Sequence, residues 1–462
     1  MGIFTKKSLE SIKEASSSSG LEKKLGAMNL IFMGLGAIIG TGVFVFTGTI
    51  AYEYSGPAVM VSYAIAGLVC TFVALAYAEL SVMIPTSGGV YTYTYVSMGQ
   101  LAAWFIGCIM FIELGLGAAT VSAAWAGYIT QIIENAGLHL PDSITKVPAE
   151  GGVVNLLAVF IAFFTGIITY LGTKDSQRLN TILVIIKVVV IGGFIIVAAP
   201  HFDSNNWTDF MPKGFDDVLV GASILFFAFN GFNVVASAAE ECKNPKRDLT
   251  IGIIGSLFFS TLIYVIVAGV LTGITHYSNL NNVSPLAHAL ALNGSNIGST
   301  IVAIGAVAGM TTVLMMQVYG LSRIAYVISR DNLLPQKLCT LHPKYNSPYK
   351  VIALLSLAIG LLGGFCPYTI LGQLSSMGSL IDYIAVITIV MMMRFSHPNI
   401  ERGFKCPALF IVAPLAWIGC VYLLFKQVID KNWGLMLQGK LFIYIVIVTL
   451  LLYFIKPKDL EN

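Results

Sequence analysis

Apolar runs of about 20 residues recur along the whole chain, each long enough to cross the hydrocarbon core of a bilayer as a helix. Only 11% of the 462 residues are charged, whereas 56% are hydrophobic. A soluble domain carries roughly 25% charged residues. Because one aqueous core cannot bury so much apolar surface, the sequence predicts an all-α polytopic membrane protein with the lipid bilayer as its main solvent.

Twelve such runs can be marked, and they are numbered spans 1 to 12 in chain order. Their ranges are 28–50, 58–84, 100–132, 152–172, 178–200, 217–239, 251–275, 299–328, 350–366, 371–393, 408–426 and 438–455. The polar residues that precede span 1 contain no apolar core followed by a small-residue cleavage site. We therefore predict no secretory signal, but polar tails over residues 1–27 and 456–462.

Lysine and arginine residues divide unevenly between the loops on the two sides of the predicted bundle. The side with both chain termini holds 19 of the 26, the other side holds five, and Lys187 and Arg323 lie within spans. Basic loops are enriched on the cytoplasmic side, and an error of one span would scramble the asymmetry. The pattern predicts twelve spans with both termini cytoplasmic, in a cell membrane such as a bacterial inner membrane.

Two spans carry residues that interrupt a helix. Span 1 contains four glycines between Gly34 and Gly42, and span 6 contains Asn230-Gly231 within an apolar stretch. Glycine costs about 1 kcal/mol in a helix interior, and Asn-Gly favours turns. Small residues also allow close helix packing, which is the alternative interpretation. Breaks five spans apart favour two inverted repeats of five spans, although the halves show no residue-level similarity.

An unwound segment at membrane depth must line a cavity or be buried in protein. It leaves backbone N–H groups free at the start of one half-helix and carbonyls free at the end of the other. The N–H groups suit a carboxylate, and the carbonyls suit an ammonium group. A broken pair of helices is therefore expected to bind a zwitterion such as an amino acid.

Ionisable residues inside spans are expensive, so each is a functional hypothesis. Lys187 lies in the middle of span 5, too deep for easy snorkelling. A lysine that loses and regains its proton can couple transport to a proton gradient, or it can occupy the place of a sodium ion. Glu113, near the middle of span 3, is expected to receive a cationic side chain or a proton. The alternative is a structural hydrogen bond to a neighbouring helix.

The end of span 6 carries Glu240 and Glu241 close to Lys243, Lys246 and Arg247. Opposite charges at a predicted cytoplasmic helix end suggest an ion-pair gate among these residues.

Three other residues within or near spans differ in their expected roles. Glu79 lies near the cytoplasmic end of span 2 and is expected to be structural. Asp382 is isolated in span 10, and the sequence offers no role for it. Phe227 precedes the span 6 break by three residues and is a candidate to close over a bound substrate.

The seven cysteines show no metal-ligand spacing, and the six histidines are scattered through loops and span ends. We therefore expect no metal site, no cofactor and no catalytic group, and no nucleic-acid partner. A membrane-embedded enzyme is a remote alternative, since it would need a nucleophile, a base or a metal cluster.

Four stretches resemble the amino acid–polyamine–organocation (APC) transporters, in particular bacterial relatives of cationic amino acid transporters. They are GLGAIIGTGVFV from Gly34 to Val45, AYAELSVMIPTSGGVYTYTY from Ala76 to Tyr95, FFAFNGFNVVASAAEECKNPKRD from Phe226 to Asp248 and SRIAYVISRDNLLP from Ser322 to Pro335. The combination is specific, and the similarity runs from about residue 20 to 455.

The resemblance implies a leucine-transporter-like fold, with a ten-helix core over 28–393 and two peripheral helices over 394–455. It places the substrate carboxylate on the backbone N–H groups of Thr41 and Gly42, and it makes the preceding Gly40 part of the substrate-binding set. The substrate ammonium is expected on carbonyls near Ile38, Phe227 and Asn230, residues of the two breaks.

The resemblance also matches Lys187 to the family's span 5 lysine, and Glu113 to a carboxylate of the side-chain pocket. Cationic-type relatives carry Gly-Phe-Asp in span 6, whereas this chain has Asn233 as the third residue of that motif. Without that charge, a cationic substrate would depend on Glu113 alone. The substrate class therefore stays open between cationic and small neutral L-amino acids.

These features together predict a proton-coupled permease that imports amino acids by alternating access. An amino acid/polyamine exchanger and a sodium-coupled carrier are rivals, and a channel or receptor is more remote because a channel needs an open polar pore. The expected partners are the amino acid, protons and the bilayer. The sequence leaves open a small accessory membrane subunit.

Overall fold

The computed structural model describes residues 5–8, 23–282, 284–429 and 435–455. These residues form an all-helical bundle without β-strands. Two isolated β-bridges join Leu25 to Cys242 and Ile429 to Leu435. The predicted tails fall largely outside the described residues, which include only 5–8 and 23–27 of the first tail and nothing after 455.

Every predicted span corresponds to one helix or to two helices in succession. The helices are Ala27–Ile38 and Thr47–Ile50 in span 1, Val59–Met83 in span 2, Gln100–Phe111 and Gly117–Asn135 in span 3, Leu156–Tyr170 in span 4, Thr173–Ala198 in span 5, Phe215–Leu225 and Phe232–Ser237 in span 6, Pro245–Ile274 in span 7, Asn296–Arg330 in span 8, Tyr349–Phe365 in span 9, Tyr368–Ser396 in span 10, Leu409–Val428 in span 11 and Leu437–Ile455 in span 12. Shorter α-helices in the connections are Gly89–Ser97, Asp142–Thr145 and Pro285–Leu292.

Within the part of the chain that the structure describes, eight helical segments are long and apolar enough to cross a membrane, and the first of them, Ala27–Met83, covers spans 1 and 2. Three shorter apolar helices form spans 4, 9 and 12. The outer surface of the bundle exposes large apolar side chains such as Phe160, Ile196 and Phe410. An apolar exterior around polar interior residues is typical of a bundle solvated by lipid, so the predicted class is confirmed.

Both predicted breaks are present. The first helix of span 1 ends at Ile38, and the chain resumes as a π-helical segment at Gly42–Phe46. In span 6 the first helix ends at Leu225, a 3-10 turn covers Phe226–Phe229, and the second helix begins at Phe232. Both breaks are buried in the bundle, as irregular backbone at membrane depth requires.

Helix packing follows a twofold pattern. Span 1 packs on span 7 and span 6 packs on span 2, while span 5 packs on span 8 and span 10 packs on span 3. Spans 2 and 7 contact each other, as do spans 4 and 9. When five is added to or subtracted from each span number, the contact of spans 1 and 7 becomes that of spans 6 and 2, and the contact of spans 5 and 8 becomes that of spans 10 and 3. The contacts of spans 2 and 7 and of spans 4 and 9 are unchanged by the same shift. Because five is odd, two such repeats must cross the membrane in opposite directions, as inverted repeats do.

Candidate binding site at the two helix breaks

The two broken segments touch at Gly42 and Ala228. A Cβ atom added to Gly42 would lie 2.4 Å from Ala228 Cβ and 2.7 Å from its Cα. Gly231 has φ +124°, which L side chains rarely adopt, and a Cβ there would lie 2.8 Å from the carbonyl oxygen of Ala37. Glycine at these two positions therefore lets one break pass directly over the other.

Other glycines of span 1 serve the alternative role, close packing. A Cβ on Gly34 would lie 2.3 Å from Ser256 Oγ of span 7, and one on Gly36 would lie 2.1 Å from Asn180 Oδ1 of span 5. The glycine run therefore serves both predicted roles. Gly34 and Gly36 allow neighbouring helices to pack closely, whereas Gly42 lies directly after the helix break.

Tyrosine hydroxyls donate to carbonyl oxygens around the breaks. Tyr264 Oη lies 2.7 Å from the oxygen of Ile38 and 2.8 Å from that of Ala228. Tyr63 Oη donates to the oxygen of Gly42 at 2.8 Å. These fully buried tyrosines from spans 2 and 7 replace donors that a continuous helix would supply. The Ile38 carbonyl, predicted to face an ammonium group, therefore already accepts one hydrogen bond.

Two polar atoms at the breaks have no hydrogen-bond partner. Thr41 Oγ1 and Asn230 Oδ1 are both buried and unpaired, although Asn230 Nδ2 donates to Ser375 Oγ of span 10 at 3.1 Å. Thr41 also directly precedes the π-helical segment, and the first N–H groups of a helix lack intrahelical partners. Unpaired buried polar atoms need a ligand or water, so both breaks offer binding capacity.

Lys187 points at the first break. Its Nζ atom donates to the carbonyl oxygens of Leu35 at 2.9 Å, Gly36 at 3.3 Å and Ile39 at 2.8 Å, and to Thr312 Oγ1 at 2.9 Å. The side chain is fully buried. An oxygen cage of carbonyls and one hydroxyl is an environment for a cation, and the C-terminal end of the first span 1 helix favours positive charge. Lys187 therefore fills a cation site formed by the broken helix itself.

Glu113 lies against the second break. It belongs to a π-helical segment, Ile112–Leu116, and its Oε1 atom accepts a hydrogen bond from Asn233 Nδ2 at 2.8 Å. Ser375 Oγ donates to its backbone oxygen at 2.6 Å. The fully buried carboxyl group contacts spans 6 and 10 rather than an open cavity. The structural hydrogen bond to a neighbouring helix, the alternative from the sequence, is thus present, while Oε2 has no partner.

An aromatic cluster covers the breaks on the side opposite the N-terminal tail, here called the opposite face. Phe227 and Phe46 have ring centroids 5.3 Å apart, and Phe46 and Tyr368 are 6.4 Å apart. Beyond them lies a cavity of about 450 Å³, lined by Tyr368 and by polar residues including Thr130 and Glu134. Three rings therefore separate this cavity from the breaks.

Buried ion pairs close the other side, here called the basic face because it carries the basic loops. Arg323 Nε and Glu241 Oε1 lie 2.8 Å apart with both side chains 2% exposed, and Tyr319 Oη donates to the same oxygen at 2.6 Å. Arg330 lies 3.4 Å from Glu240. These contacts join the end of span 6 to span 8.

The predicted ion-pair cluster is therefore correct in its carboxylates and wrong in its cations. The side chains of Lys243, Lys246 and Arg247 are exposed, and Lys246 pairs with Glu401 instead. Lys246 and Arg247 lie exposed in the first turn of the helix that begins at Pro245, and Lys243 lies exposed in the connection before it, whereas Arg323 and Arg330 come from span 8.

Glu79 has the structural role expected of it. Its carboxylate lies 2.6 Å from Arg394 and 3.0 Å from Arg402, and it accepts a hydrogen bond from the Cys406 backbone at 2.8 Å. These contacts tie span 2 to the connection between spans 10 and 11.

The structure thus brings Ile38, Gly40, Thr41 and Gly42 together with Phe227 and Asn230 where spans 1 and 6 cross. Lys187 reaches this crossing from span 5. Glu113 of span 3 and Asn233 of span 6 lie on the basic-face side of the span 6 break. Sequence reasoning missed the supporting residues Tyr63, Tyr264, Thr312 and Ser375. A polar side chain within an apolar span needs a partner, and that rule could have singled them out.

Two broken helices cross at the centre of a lipid-solvated bundle, with the Lys187 amine bonded to one and the Glu113 carboxyl group to the other, and this arrangement is that of a membrane transporter. The chain belongs to the amino acid permease family, whose model matches residues 25–452. It is 39% identical to the branched-chain amino acid permease BcaP of Bacillus subtilis, covering 100% of this chain and 99% of that protein.

Two further relatives differ in what they carry. The methylthioribose transporter of Bacillus subtilis is 35% identical over 92% of each chain. Human cationic amino acid transporter 4 is 33% identical over 85% of this chain and 63% of its own length. The family and these relatives are transporters, not enzymes.

Proposed function

We propose that this protein is a proton-coupled permease that imports amino acids by alternating access. The observation that carries the proposal is the position of Lys187, whose Nζ atom donates to three carbonyl oxygens at the span 1 break. A group that can lose a proton is thereby bonded directly to the segment proposed to bind the substrate.

The coupling follows from counting hydrogen-bond donors. A protonated lysine has three N–H donors and a charge that the carbonyl cage stabilises, whereas a neutral amine has two donors and no charge. The three donors already serve four acceptors, the carbonyls of Leu35, Gly36 and Ile39 and the Thr312 hydroxyl, so loss of one donor and of the charge weakens the hold of Lys187 on this helix end. The end of the first span 1 helix is then free to shift, which changes the site that it forms with span 6.

The substrate carboxylate is proposed to bind the N–H groups of Thr41 and Gly42, and the ammonium group the carbonyls near Ile38, Phe227 and Asn230. Entry is proposed through the opposite-face cavity, past Phe227, with release through the basic face. The basic face, and with it both termini, is then cytoplasmic. Residues 28–393 form the transport core, and 394–455 form two peripheral helices.

We propose a neutral aliphatic amino acid as the substrate. Glu113 Oε1 accepts a hydrogen bond from the Asn233 amide, and the opposite-face closure is made of aromatic rings. The BcaP relative, similar over the whole chain, is named for branched-chain amino acids. A cationic substrate is the second candidate, since Glu113 Oε2 has no partner and other relatives are named for cationic amino acids.

The decisive experiment measures amino acid accumulation in proteoliposomes under an imposed proton gradient without sodium. The wild type should accumulate substrate, and Lys187→Gln should lose at least tenfold of this accumulation while still binding substrate. Lys350→Gln, a change at an exposed lysine in the first turn of the span 9 helix, is the control and should behave as the wild type. Undiminished gradient-driven accumulation by the Lys187 variant would remove Lys187 from the mechanism.

Thermal stabilisation by each of the twenty amino acids identifies the substrate, because a ligand that binds the native state raises its apparent stability. Valine, leucine, isoleucine or alanine should raise Tm, and arginine and lysine should not. Stabilisation by arginine or lysine that is lost in Glu113→Gln would establish the cationic alternative instead.

A further inference from the structure

Asp382 is a buried carboxyl group that the proposed transport mechanism does not use. It lies on span 10 on the same helix face as Ser375 and Ser379, because residues spaced by four and then three positions align along a helix. Its side chain is fully buried, and neither carboxyl oxygen accepts a hydrogen bond of good geometry. A polar group left in this state demands an explanation.

The surroundings of Asp382 are polar but not basic. Glu113 of span 3 packs on the same stretch of span 10, since Ser375 Oγ donates to its backbone oxygen at 2.6 Å and a Cβ atom on Gly378 would lie 3.1 Å from its nitrogen. The Asn233 amide donates to Glu113 Oε1 at 2.8 Å and faces Asp382 as well. The phenol groups of Tyr77, Tyr93 and Tyr383 face the same space, and the thiol of Cys70 lies farther away. No cationic side chain among the described residues faces this space.

Many polar atoms around this space lack partners. They include both Asp382 oxygens, Oε2 of Glu113, Oδ1 of Asn233 and the hydroxyl groups of Tyr93 and Tyr383. All of these side chains are almost completely buried. Unpaired acceptors contributed by four different segments converge on one small volume, which is the arrangement expected around a bound proton or an ordered water chain.

The carboxyl groups of Glu113 and Asp382 cannot both be charged in this environment. Two buried negative charges in a low-dielectric interior repel each other strongly, and no cation compensates them among the described residues. Paired carboxyl groups in proteins resolve the conflict by sharing a proton. At least one proton therefore resides on this pair in the closed structure.

We propose that Glu113 and Asp382 form a second proton-binding site, which shares one proton in the closed state and releases it toward the basic face. The inference rests on the proposed proton coupling and extends it to a second group. The proton leaves a carboxyl oxygen for water and returns by the reverse step.

The site has a counterpart in the Lys187 site. Lys187 of span 5 meets span 8 through Thr312 and contacts the span 1 break. Asp382 of span 10 meets span 3 at Glu113 and contacts the span 6 break through Asn233. A shift of five spans exchanges these sets, so one ionisable site flanks each broken helix.

The route to the basic face is short. Tyr77 lies on the half of span 2 that approaches this face, and Tyr93 lies on the helix Gly89–Ser97 that connects spans 2 and 3 there. Their rings are in contact at 6.0 Å. Opening of the basic-face ion pairs would bring water to these phenol groups and so to the carboxyl pair.

The test measures proton flux per transported substrate with a pH-sensitive dye trapped in proteoliposomes. Asp382→Asn should still bind substrate by thermal shift, but its proton flux per substrate should fall at least twofold, and its uptake should respond less to pH. Asp217→Asn, which alters a buried carboxyl near the other end of span 6, is the matched control and should retain both values. Should Asp382→Asn fail to fold, Glu113→Gln carries the same expectation for proton flux.

Infrared difference spectra test the same proton without transport. The carbonyl band of a protonated carboxyl should be present in the wild type, shift in either single variant and disappear in the double variant Glu113→Gln/Asp382→Asn. An unchanged flux ratio in Asp382→Asn together with an unchanged band in the double variant would overturn the second site alone. A wild type that moves no protons with substrate would overturn the proposed coupling, and this inference with it.

Discussion

The two ends of the central site are closed by different kinds of contact. On the basic face, Arg323 and Glu241 form a buried ion pair at 2.8 Å, joined by the Tyr319 hydroxyl. On the opposite face, the rings of Phe46, Phe227 and Tyr368 lie between the breaks and a wide cavity.

This difference indicates which side opens more easily. A buried ion pair is stable only in a narrow geometry, because separating the partners leaves an uncompensated charge in the interior. Such a closure therefore resists partial opening. Ring contacts are worth about 0.5–1.5 kcal/mol per pair and adjust by small rotations. We therefore expect a thick closure on the basic face and a thin one on the opposite face, with substrate admitted through the thin one.

Glu241→Gln should have the largest effect, because it removes the carboxylate that neutralises Arg323. Loss of one partner of a buried ion pair costs about 3–5 kcal/mol of stability. Cys242 reports the opening, since burial raises the pKa of its thiol to about 11 and keeps it slow to react at neutral pH. We expect a lower Tm and at least tenfold faster maleimide labelling of Cys242.

The matched control is Glu401→Gln, which breaks an ion pair of the same charge type whose side chains are 63% and 83% exposed. An exposed pair contributes about 1 kcal/mol or less. Equal effects of the two variants on Cys242 labelling would contradict the view that the buried pair closes the basic face.

Phe227→Ala should have an intermediate effect confined to the opposite face. Loss of the ring contact with Phe46 should weaken substrate retention by roughly 2- to 13-fold, the equivalent of about 0.5–1.5 kcal/mol. Dissociation of labelled substrate measures this directly. Phe226→Ala is the control, since the neighbouring ring packs on Tyr383 instead. A faster Cys242 reaction in Phe227→Ala would mean that the two closures are not separate.

Lys7→Ala should have the smallest effect. Lys7 forms an ion pair with Asp331 at the basic face, but its side chain is 24% exposed, and Asp331 also accepts a hydrogen bond from Tyr91. Asp331 itself is only 3% exposed, but solvent reaches Lys7 and the Tyr91 hydroxyl remains as a donor, so the loss should be well below that of a fully buried pair. Cys242 labelling should rise less than about fivefold, the equivalent of about 1 kcal/mol. A change as large as that of Glu241→Gln would make the N-terminal segment part of the main closure.

Features encoded locally were predictable from the sequence. The breaks at Gly42 and Gly231 follow from residues that disfavour helix, and Lys187 was conspicuous because it is charged within an apolar run. Pairings between distant segments were not predictable. Nothing near Glu241 in the sequence indicates Arg323, 82 positions away, and nothing near Asp382 indicates Glu113. Which helix faces meet is decided by packing of the whole bundle, and a single sequence does not reveal it.

The Tyr264 hydroxyl faces two carbonyl oxygens but has one hydrogen to donate. Its hydroxyl lies within 2.8 Å of the Ile38 and Ala228 carbonyl oxygens, yet a phenol carries only one hydrogen. At any instant one of the two oxygens, on either side of the crossing, therefore has no donor from Tyr264. If the ammonium group of a substrate binds here as proposed, one of its three hydrogens would serve the carbonyl that Tyr264 leaves without a donor.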